Sequence, residues 1–199
     1  MPEDGLTSPN GAAAPDFIVR PRSAADLEAC RPTAELVQRV DGYPGAAVAD
    51  IVDFMSCPDA YAAWVAVAGP DIIGHAVLKP SAAPGVLELA CQASGRGADA
   101  MAVVGRLWVA PDHRRRGVAR SLLATAVAAA HEAGLWPLLD TVATNARSIA
   151  LYESAGWVRL GTVDVTFSGG LRLLLVAFLG PMPPAAGEPV QEAAPGGDG

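Results

Sequence analysis

The sequence predicts one α/β domain built on a mixed β-sheet. Short apolar, β-branched runs bounded by Gly and Pro alternate with Ala- and Leu-rich segments whose apolar residues recur at helical spacing. The clearest change of pattern lies mid-chain, where a strand-like run stops at Pro111 and passes through three arginines and Gly117 into a long Ala-rich helix. A chain of 199 residues suits one domain with a full core. Strands that alternate with helices in this way are typical of an α/β fold.

The first part of the domain predicts one short strand followed by two helical segments. Residues 17–20 form an apolar run closed by a proline, and Ser23 then caps a helix. Pro32 lies inside this helix, so we expect a kink or a division into two helices. A Gly- and Pro-rich turn at 41–45 precedes a second helix at about 46–55.

The middle of the chain predicts a hairpin, an insertion and a fourth strand. The turn signal at 69–71 joins the apolar runs 60–68 and 72–78, which predicts an antiparallel pair. Residues 84–95 begin at a proline and end at a glycine, which suits a short helix, with a strand as the alternative. The run 102–109 is the fourth strand, and it leads into the arginine-rich segment.

The last part of the domain predicts a long helix, a strand, a short helix and a final hairpin. The helix that begins after Gly117 carries apolar residues at helical spacing and ends at Gly134. The later elements are a strand at 137–144, a helix at 146–155 and hairpin strands at 159–167 and 171–178. Residues 1–15 and 181–199 lack periodicity and are predicted to be disordered tails, which leaves a domain at 16–180.

The segment that leads from the fourth strand into the long helix has the features of an anion-binding site. The first backbone N–H groups of a helix have no intrahelical partner, and the helix dipole places partial positive charge there. Gly117 and Ala119 are small enough to let a phosphate approach the main chain. Arg114, Arg115 and Arg116 add guanidinium groups that donate in pairs to phosphate oxygens. We therefore expect a phosphorylated ligand.

The spacing of the motif residues distinguishes between the known classes of phosphate-binding site. The chain has no Gly-x-x-x-x-Gly-Lys-Ser/Thr loop and no Gly-x-Gly-x-x-Gly turn, which argues against the usual nucleoside triphosphate and dinucleotide sites. It does contain Arg114-x-x-Gly117-x-Ala119, followed by Asn145 and the segment Leu-Tyr-Glu-Ser-Ala-Gly-Trp at 151–157. Over residues 16–180 the chain resembles the GNAT superfamily of acyl-CoA-dependent N-acyltransferases, whose pyrophosphate loop reads Arg/Gln-x-x-Gly-x-Gly/Ala.

The resemblance implies a fold, a cosubstrate and a set of contacts. The fold is GNAT-like, with a mixed, mainly antiparallel sheet of about seven strands and about four or five helices. Acetyl-CoA would be the cosubstrate, without a metal, and the fourth and fifth strands would separate so that backbone N–H groups near Trp108 become free. The implied cofactor-binding residues are Leu107, Trp108, Val109, Arg114, Arg115, Arg116, Gly117, Val118, Ala119, Arg120, Asn145 and Tyr152.

Two of these residues have a possible structural role as an alternative to cofactor binding. Tyr152 matches the family tyrosine that lies beside the thioester sulfur and reprotonates it, and a phenol with a pKa of ~10 suits an acid. Its alternative role is an aromatic packed between helix and sheet. Asn145 is expected to hold the pantetheine amides, and its alternative role is a helix N-cap.

The acceptor side is less well defined by the sequence. Tyr43 and Asp140 are the predicted substrate-binding residues, although an aromatic in a Gly/Pro turn is also common as a packing cap. Family members often use a glutamate on the fourth strand or a chain of water molecules as the general base, but this strand carries Gly105 and Arg106 where an acid would be expected. Three carboxylates remain as candidates for the base: Glu88, Asp99 and Asp140.

Composition restricts the partners. The formal net charge is −7, from 14 Lys and Arg against 21 Asp and Glu, so a nucleic-acid partner is not expected and a cationic amine is tolerated. The acidic N-terminus and the short apolar run at 171–179 predict neither a secretory signal nor a membrane span, hence a cytoplasmic protein. The resemblance leaves a homodimer open.

The remaining chemistry-bearing residues suggest no second site. Cys30, Cys57 and Cys91 are far apart without zinc-ligand spacing, and we interpret them as buried, reduced thiols. His75 lies in an apolar strand, where a histidine is more often satisfied by a neighbour than catalytic.

The sequence thus favours an N-acetyltransferase that transfers acetyl directly to a primary amine in a ternary complex, because no Ser or Cys constellation indicates a covalent intermediate. The alternative is a non-catalytic acyl-CoA-binding or regulatory module, favoured by the missing acid on the fourth strand and opposed by Tyr152 and Asn145.

Overall fold

A computed structural model describes residues 16–45, 48–167 and 170–182. The predicted tails lie outside these residues, except for 181 and 182. The strands are β1 (Ile18–Pro21), β2 (Ala62–Ala68), β3 (Asp71–Lys79), β4 (Met101–Val109), β5 (Trp136–Val142), β6 (Val158–Thr166) and β7 (Arg172–Leu179). The α-helices are α1 (Ala24–Asp41), α2 (Ile51–Ser56), α3 (Pro84–Ser94), α4 (Val118–Glu132) and α5 (Ala146–Ser154).

The seven strands form one sheet in the order β1-β2-β3-β4-β5-β7-β6. Every neighbouring pair is antiparallel except β4 and β5, which are parallel. This confirms the predicted mixed, mainly antiparallel sheet. The β4–β5 pairing stops after Val103 and Leu138, so residues 104–109 of β4 are paired with β3 alone. The predicted separation of these two strands is therefore present, and we call the space between them the β4–β5 gap.

Apolar side chains cover both faces of the sheet. On one face, α4 buries Val118, Leu122 and Ala126 against alternate residues of β2, β3 and β4. On the other face, α1 and α2 pack over β2 and β3, whereas α3 packs over the start of β4 and over β5 and β7. The second face thus carries two separate apolar clusters, and the polar residues described below lie between them.

Two predicted helices differ from the observed ones. α1 is a single element that continues through Pro32, so the predicted division into two helices is wrong; its start is fixed by a capping box of Ser23 and Asp26. α2 begins at Ile51 rather than near 46, because the Asp50 carboxylate accepts hydrogen bonds from two N–H groups of the first turn and so caps the helix there. Residues 46 and 47 of that prediction lie outside the described residues.

The insertion after β3 is a helix, which resolves the alternative that the sequence left open. α3 begins at Pro84, where the missing N–H costs no helical hydrogen bond, and it ends at Gly95 in the left-handed conformation. Helical geometry lets α3 bury Val86 and Ala90 against Met101, Val103 and Leu138.

Candidate active site

The connection from β4 to α4 forms an open helix N-terminus beside the β4–β5 gap. A short 3-10 turn at Pro111–His113 leads to Arg115 and Gly117, which have positive φ angles of 63° and 87°. The first bond that closes the helix runs from the Ser121 N–H to the Gly117 carbonyl, at 3.0 Å. The N–H groups of 118–120 therefore have no intrahelical acceptor. Apart from Gly117 and the adjoining backbone, no atom of the described residues lies within 4 Å of the position that a Gly117 Cβ would take, so an anion can approach the backbone there.

The arginines of this loop are not equivalent. Arg114 donates from both terminal nitrogens to the Asp41 carboxylate, and from Nε to the Val109 carbonyl at 3.3 Å, so it fastens the loop to the end of α1. Arg120 donates to the carbonyl and hydroxyl of Ser154 at 3.2 and 2.8 Å and joins α4 to α5. Arg115 and Arg116 are exposed at the loop surface.

The cofactor-binding role of the whole predicted set stays a prediction. Arg115 and Arg116 have the side chains best placed for it, because the Arg114 fork already holds a carboxylate. Val118 has its side chain buried in the core, and Ala119 lies beside it in the first turn, so both would contribute backbone N–H groups rather than side chains.

The end of β4 presents its backbone to the gap. Leu107 and Val109 pack their side chains against the α4-covered core, whereas Trp108 is 4% exposed and stacks on His75, with ring centroids 5.7 Å apart. No described strand pairs with this edge on the β5 side. The free backbone groups of this edge are therefore available to a ligand in the gap.

The two ends of α5 fix Asn145 and Tyr152. The Asn145 side-chain oxygen accepts a hydrogen bond from the Ser148 N–H at 3.1 Å, so the N-cap role is confirmed and the amide nitrogen is not used by the cap. At the other end, the Trp157 N–H donates to the Tyr152 carbonyl at 3.1 Å and Gly156 adopts a φ of 82°, which is a Schellman motif.

The Tyr152 ring is packed between helix and sheet. It lies 6.3 Å from the Trp157 ring and 5.5 Å from the Phe178 ring, and the residue is 7% exposed. Burial, with the Asp140 charge acting in the same direction, raises the pKa of Tyr152 to about 12. The phenol therefore keeps its proton at neutral pH and can serve as a donor. The packing alternative is correct for the ring, while the catalytic role of the hydroxyl stays a prediction.

A polar cluster lies between the two apolar clusters of the α1–α3 face. Lys79, Val103 and Leu138 stand side by side on three adjacent strands, and Gly105 and Asp140 come two residues further along. Gly105 leaves a space that the Lys79 stem occupies, since Lys79 Cε lies 3.4 Å from where a Cβ would be. Burial raises the pKa of Asp140, and the Lys79 charge opposes that rise. Burial lowers the pKa of Lys79.

The structure places Asp140 in this cluster and packs Tyr43 against the neighbouring apolar cluster of α1 and α2. Burial raises the pKa of Tyr43, the Tyr152 and Asp140 charges act in the same direction, and Arg106 opposes them. Tyr43 also packs edge-on against Phe54 at 5.9 Å, so it is a packing residue as well.

The three candidate bases have different positions. Glu88 is exposed on α3, where its carboxylate accepts a hydrogen bond from Gln92 at 3.2 Å. Asp99 is exposed in the turn that precedes β4. Asp140 is the candidate that lies in the polar cluster beside the gap.

Arg106 is the residue of this cluster that sequence reasoning missed, because it was considered only as occupying the place of an acid. It lies at a β-bulge of β4 with a φ of 52°, and its guanidinium stacks over the Phe54 ring at 4.8 Å. The signal for it was a lone arginine inside an otherwise apolar strand.

His75 holds this bulge from β3. Its Nδ1 lies 3.0 Å from the Arg106 carbonyl oxygen and its Nε2 lies 2.9 Å from Arg22 Nη1. A carbonyl only accepts and a guanidinium only donates, so Nδ1 carries the proton and the ring is neutral. The side chain is 0% exposed, and burial is the main cause that lowers its pKa to about 4. His75 is a satisfied core histidine, as the sequence predicted.

We expect His75 to make the protein less stable as the pH falls from about 6.5 to about 4. The unfolded chain binds a proton at the ordinary histidine pKa near 6.5, whereas the folded chain binds it only near 4, so unfolding takes up a proton in this window. At about 1.36 kcal/mol per pKa unit, the loss of unfolding free energy approaches about 3 kcal/mol. Urea titrations at several pH values measure it.

His75→Gln is the informative variant, because a neutral amide keeps a donor and an acceptor but cannot titrate. In this variant the free energy of unfolding should change little between pH 6.5 and 4. The loss of stability at lower pH should remain, because Asp26 becomes protonated there; its ion pair with Arg20 lowers the pKa of Asp26. A slope as steep in His75→Gln as in the parent would contradict this account of His75.

Within the described residues, Cys30, Cys57 and Cys91 are free thiols, and burial raises the pKa of Cys30 to about 12. The same part of the chain contains no group of three or more His, Cys, Asp or Glu side chains arranged to hold a metal ion. No helix in it is both long and apolar enough to cross a membrane.

Comparison with known proteins identifies the family. The model of the Acetyltransferase (GNAT) family matches residues 33–157. Similar solved structures include the ribosomal-protein-S18-alanine N-acetyltransferase from Escherichia coli, with a TM-score of 0.60 and 18% identity over 85% of this chain and 96% of that one. Another is Arabidopsis thaliana NAA60 in complex with acetyl-CoA, with a TM-score of 0.63 and 18% identity over 82% and 97% of the two chains.

A third is the ribosomal-protein-alanine N-acetyltransferase from Brucella melitensis, with a TM-score of 0.61 and 22% identity over 81% of this chain and 98% of that one. No curated protein sequence matches the chain. Identities this low show a shared fold, and the family match covers more than half of the 199 residues. The chain therefore belongs to the Acetyltransferase (GNAT) family.

Proposed function

We propose that the protein is an acetyl-CoA-dependent N-acetyltransferase that transfers an acetyl group to a primary amine by direct attack in a ternary complex. The observation that carries this proposal is the β4–β5 gap, which has an unpaired strand edge along one side, the open N-terminus of α4 at its end and the Tyr152 phenol beside it. Membership of the family supports it, as does the acetyl-CoA complex of the similar Arabidopsis protein.

The residues of the gap fit acetyl-CoA. The N–H groups of 118–120, the open backbone at Gly117 and the exposed Arg115 and Arg116 would bind the diphosphate. The free edge of β4 at 107–109 would bind the peptide-like pantetheine arm in the way that a neighbouring strand is bound. The unused amide nitrogen of Asn145 would donate to the same arm.

Two protons must move during the transfer. Acetyl-CoA supplies an activated acetyl group, whose bond to sulfur breaks as its bond to the amine nitrogen forms, so one proton leaves the amine and one reaches the thiolate. Tyr152 is assigned to the thiolate, because its raised pKa keeps the phenol protonated at neutral pH, so it has a proton to donate. Backbone N–H groups of β4 would donate to the carbonyl oxygen as negative charge develops there.

Asp140 is our candidate for the group that receives the amine. It is the predicted base that lies beside the gap, and burial raises its pKa toward the working range of a general base. As a carboxylate it would first attract the ammonium form of the acceptor and then take its proton. Tyr43 would form the wall of the acceptor site opposite Asp140.

The rival function is a non-catalytic acyl-CoA-binding module. The observation that favours it is the presence of Gly105 and Arg106 on β4, which leaves that strand without a carboxylate near the gap. Under either function we expect no nucleic-acid partner, because the charge balance is acidic, and we propose a cytoplasmic location.

One experiment separates the two functions. Binding of acetyl-CoA is measured by calorimetry, and release of free thiol is then followed with a panel of primary amines that includes amino acids, polyamines and peptides. Binding together with amine-dependent thiol release supports the enzyme. Binding without release for any amine supports the module, and failure to bind acetyl-CoA contradicts both.

A further inference from the structure

Arg106 carries a buried cationic nitrogen that no described residue satisfies. Its Nη1 atom is inaccessible to solvent and has no hydrogen-bond partner within the described part of the chain. A guanidinium is always charged and has only donors, so an unpaired buried N–H is costly. An unpaired buried group in a native structure requires an explanation. Because Arg106 lies on the strand that borders the gap, we consider a ligand with acceptor oxygens.

The backbone of Arg106 is held in an unfavourable conformation. Between the pairs His75–Trp108 and Val77–Gly105, β4 contains one residue more than β3, and Arg106 adopts a left-handed φ of 52° at that bulge. His75 fixes the bulge by donating its Nδ1 proton to the Arg106 carbonyl. Bulges next to active sites serve to redirect a side chain, and here the side chain is directed beneath Phe54 of α2.

The neighbouring cations are already bonded, unlike Arg106. Arg22 donates to the carbonyls of Met55 and Ser56 and to His75. Lys79 donates to the carbonyl of Ser81. The Arg106 guanidinium carbon also lies 4.8 Å from the centroid of the Phe54 ring, in a cation–π contact that supplies no acceptor oxygen for its N–H groups.

We propose that the acceptor carries a carboxylate as well as its amine, and that Arg106 binds this carboxylate through its free N–H groups. The inference rests on the proposed function and names the substrate class of the same site. Arg106 on β4 and Asp140 on β5 stand on opposite sides of the β4–β5 gap, so the site offers a cation for the carboxylate and an anion for the ammonium. The carboxylate belongs either to a free amino acid or to the acidic side chain of a peptide.

Matched acceptor pairs test the proposal. In the first arm, free amino acids are compared with their amides, which keep the size of the acceptor and remove its charge. In the second arm, dipeptide amides with Asp or Glu at the second position are compared with the Asn or Gln equivalents. The value of kcat/KM is measured for each pair in the parent, in Arg106→Met and in Arg106→Lys. Arg96→Met, an exposed position with the same change in charge, is the control.

In at least one arm, the parent should prefer the charged acceptor by about 10- to 100-fold, the range for a charge-assisted pair of hydrogen bonds. Arg106→Met should reduce this ratio to about one, Arg106→Lys should retain part of it, and Arg96→Met should keep it. A parent ratio near one in both arms overturns the proposal, whether or not Arg106→Met folds. A preference that survives in Arg106→Met overturns it as well.

A binding measurement separates this proposal from the proposed function. N-acetyl amino acids, N-acetylated acidic dipeptide amides and their neutral counterparts are titrated calorimetrically into the protein saturated with CoA. If no amine releases thiol, the proposed function fails, yet preferential binding of charged ligands that Arg106→Met abolishes still supports the carboxylate site. Equal binding of charged and neutral ligands contradicts the site, even when thiol is released.

Discussion

Replacing Tyr152 by Phe is expected to lower kcat for acetyl transfer by about 100-fold or more, the usual contribution of a positioned general acid. The phenol is buried and its pKa is raised to about 12, so in the parent it is fully protonated and has a proton to donate to the leaving thiolate. Phe keeps the ring between Trp157 and Phe178 and removes only the hydroxyl. Steady-state rates with the best acceptor, together with the Kd of acetyl-CoA, measure the effect.

The expected pattern is a loss in kcat with a nearly unchanged Kd for acetyl-CoA, because a proton given to the leaving group acts in the transition state. Tyr61→Phe, at an exposed tyrosine before β2, is the matched control and should behave as the parent. A Tyr152→Phe enzyme with unaltered kcat would remove Tyr152 from the reaction and leave it as a packing residue.

Gly117→Glu is expected to weaken acetyl-CoA binding by about 1000-fold. Gly117 has a φ of 87°, and a side chain there is strained at a cost of roughly 1–2 kcal/mol. The new carboxylate would also face the diphosphate, and two like charges 4 Å apart near a protein surface repel by about 4 kcal/mol. Calorimetric titration of acetyl-CoA, or the shift in melting temperature that it causes, measures the loss.

Gly134→Glu is the control that distinguishes a loss of acetyl-CoA affinity from a loss of stability. Gly134 has a φ of 70° with equally open space around it, but it follows the far end of α4, so the same substitution brings similar strain without a nearby diphosphate. Both variants should lose comparable stability, and Gly117→Glu alone should lose affinity. Parent-like binding by Gly117→Glu would mean that the N-terminus of α4 does not hold the cosubstrate.

Most of the architecture could be predicted because it follows from local signals. The Gly-Pro-Asp turn at 69–71, the glycines that end α3 and α4, and the Gly156–Trp157 terminus of α5 each fix an element boundary through backbone conformation. Where prediction was wrong, a helix cap or tertiary packing decided the boundary. The Asp50 cap delays the start of α2, and packing of Cys30, Ala34 and Val37 keeps α1 continuous through Pro32.

The site was harder to predict, because its decisive contacts join residues that are distant in sequence. The Arg114–Asp41 pair links the connection between β4 and α4 to the end of α1, and no sequence motif indicates it. The bulge at Arg106 depends on a hydrogen bond that His75, on the neighbouring strand β3, donates to the Arg106 carbonyl. The different contacts of Arg114, Arg115, Arg116 and Arg120, and the bulge at Arg106, became apparent only from the three-dimensional contacts.

The early end of β4–β5 pairing also bears on the thermodynamics of the whole molecule. A ligand that binds in the β4–β5 gap of the folded protein raises its free energy of unfolding by RT ln(1 + [L]/Kd). This gain is about 2.7 kcal/mol when the free ligand is at about 100 times its Kd. If CoA or acetyl-CoA fills this gap, the free energy of unfolding rises with the concentration of either ligand, and depletion of the CoA pool leaves the protein easier to unfold.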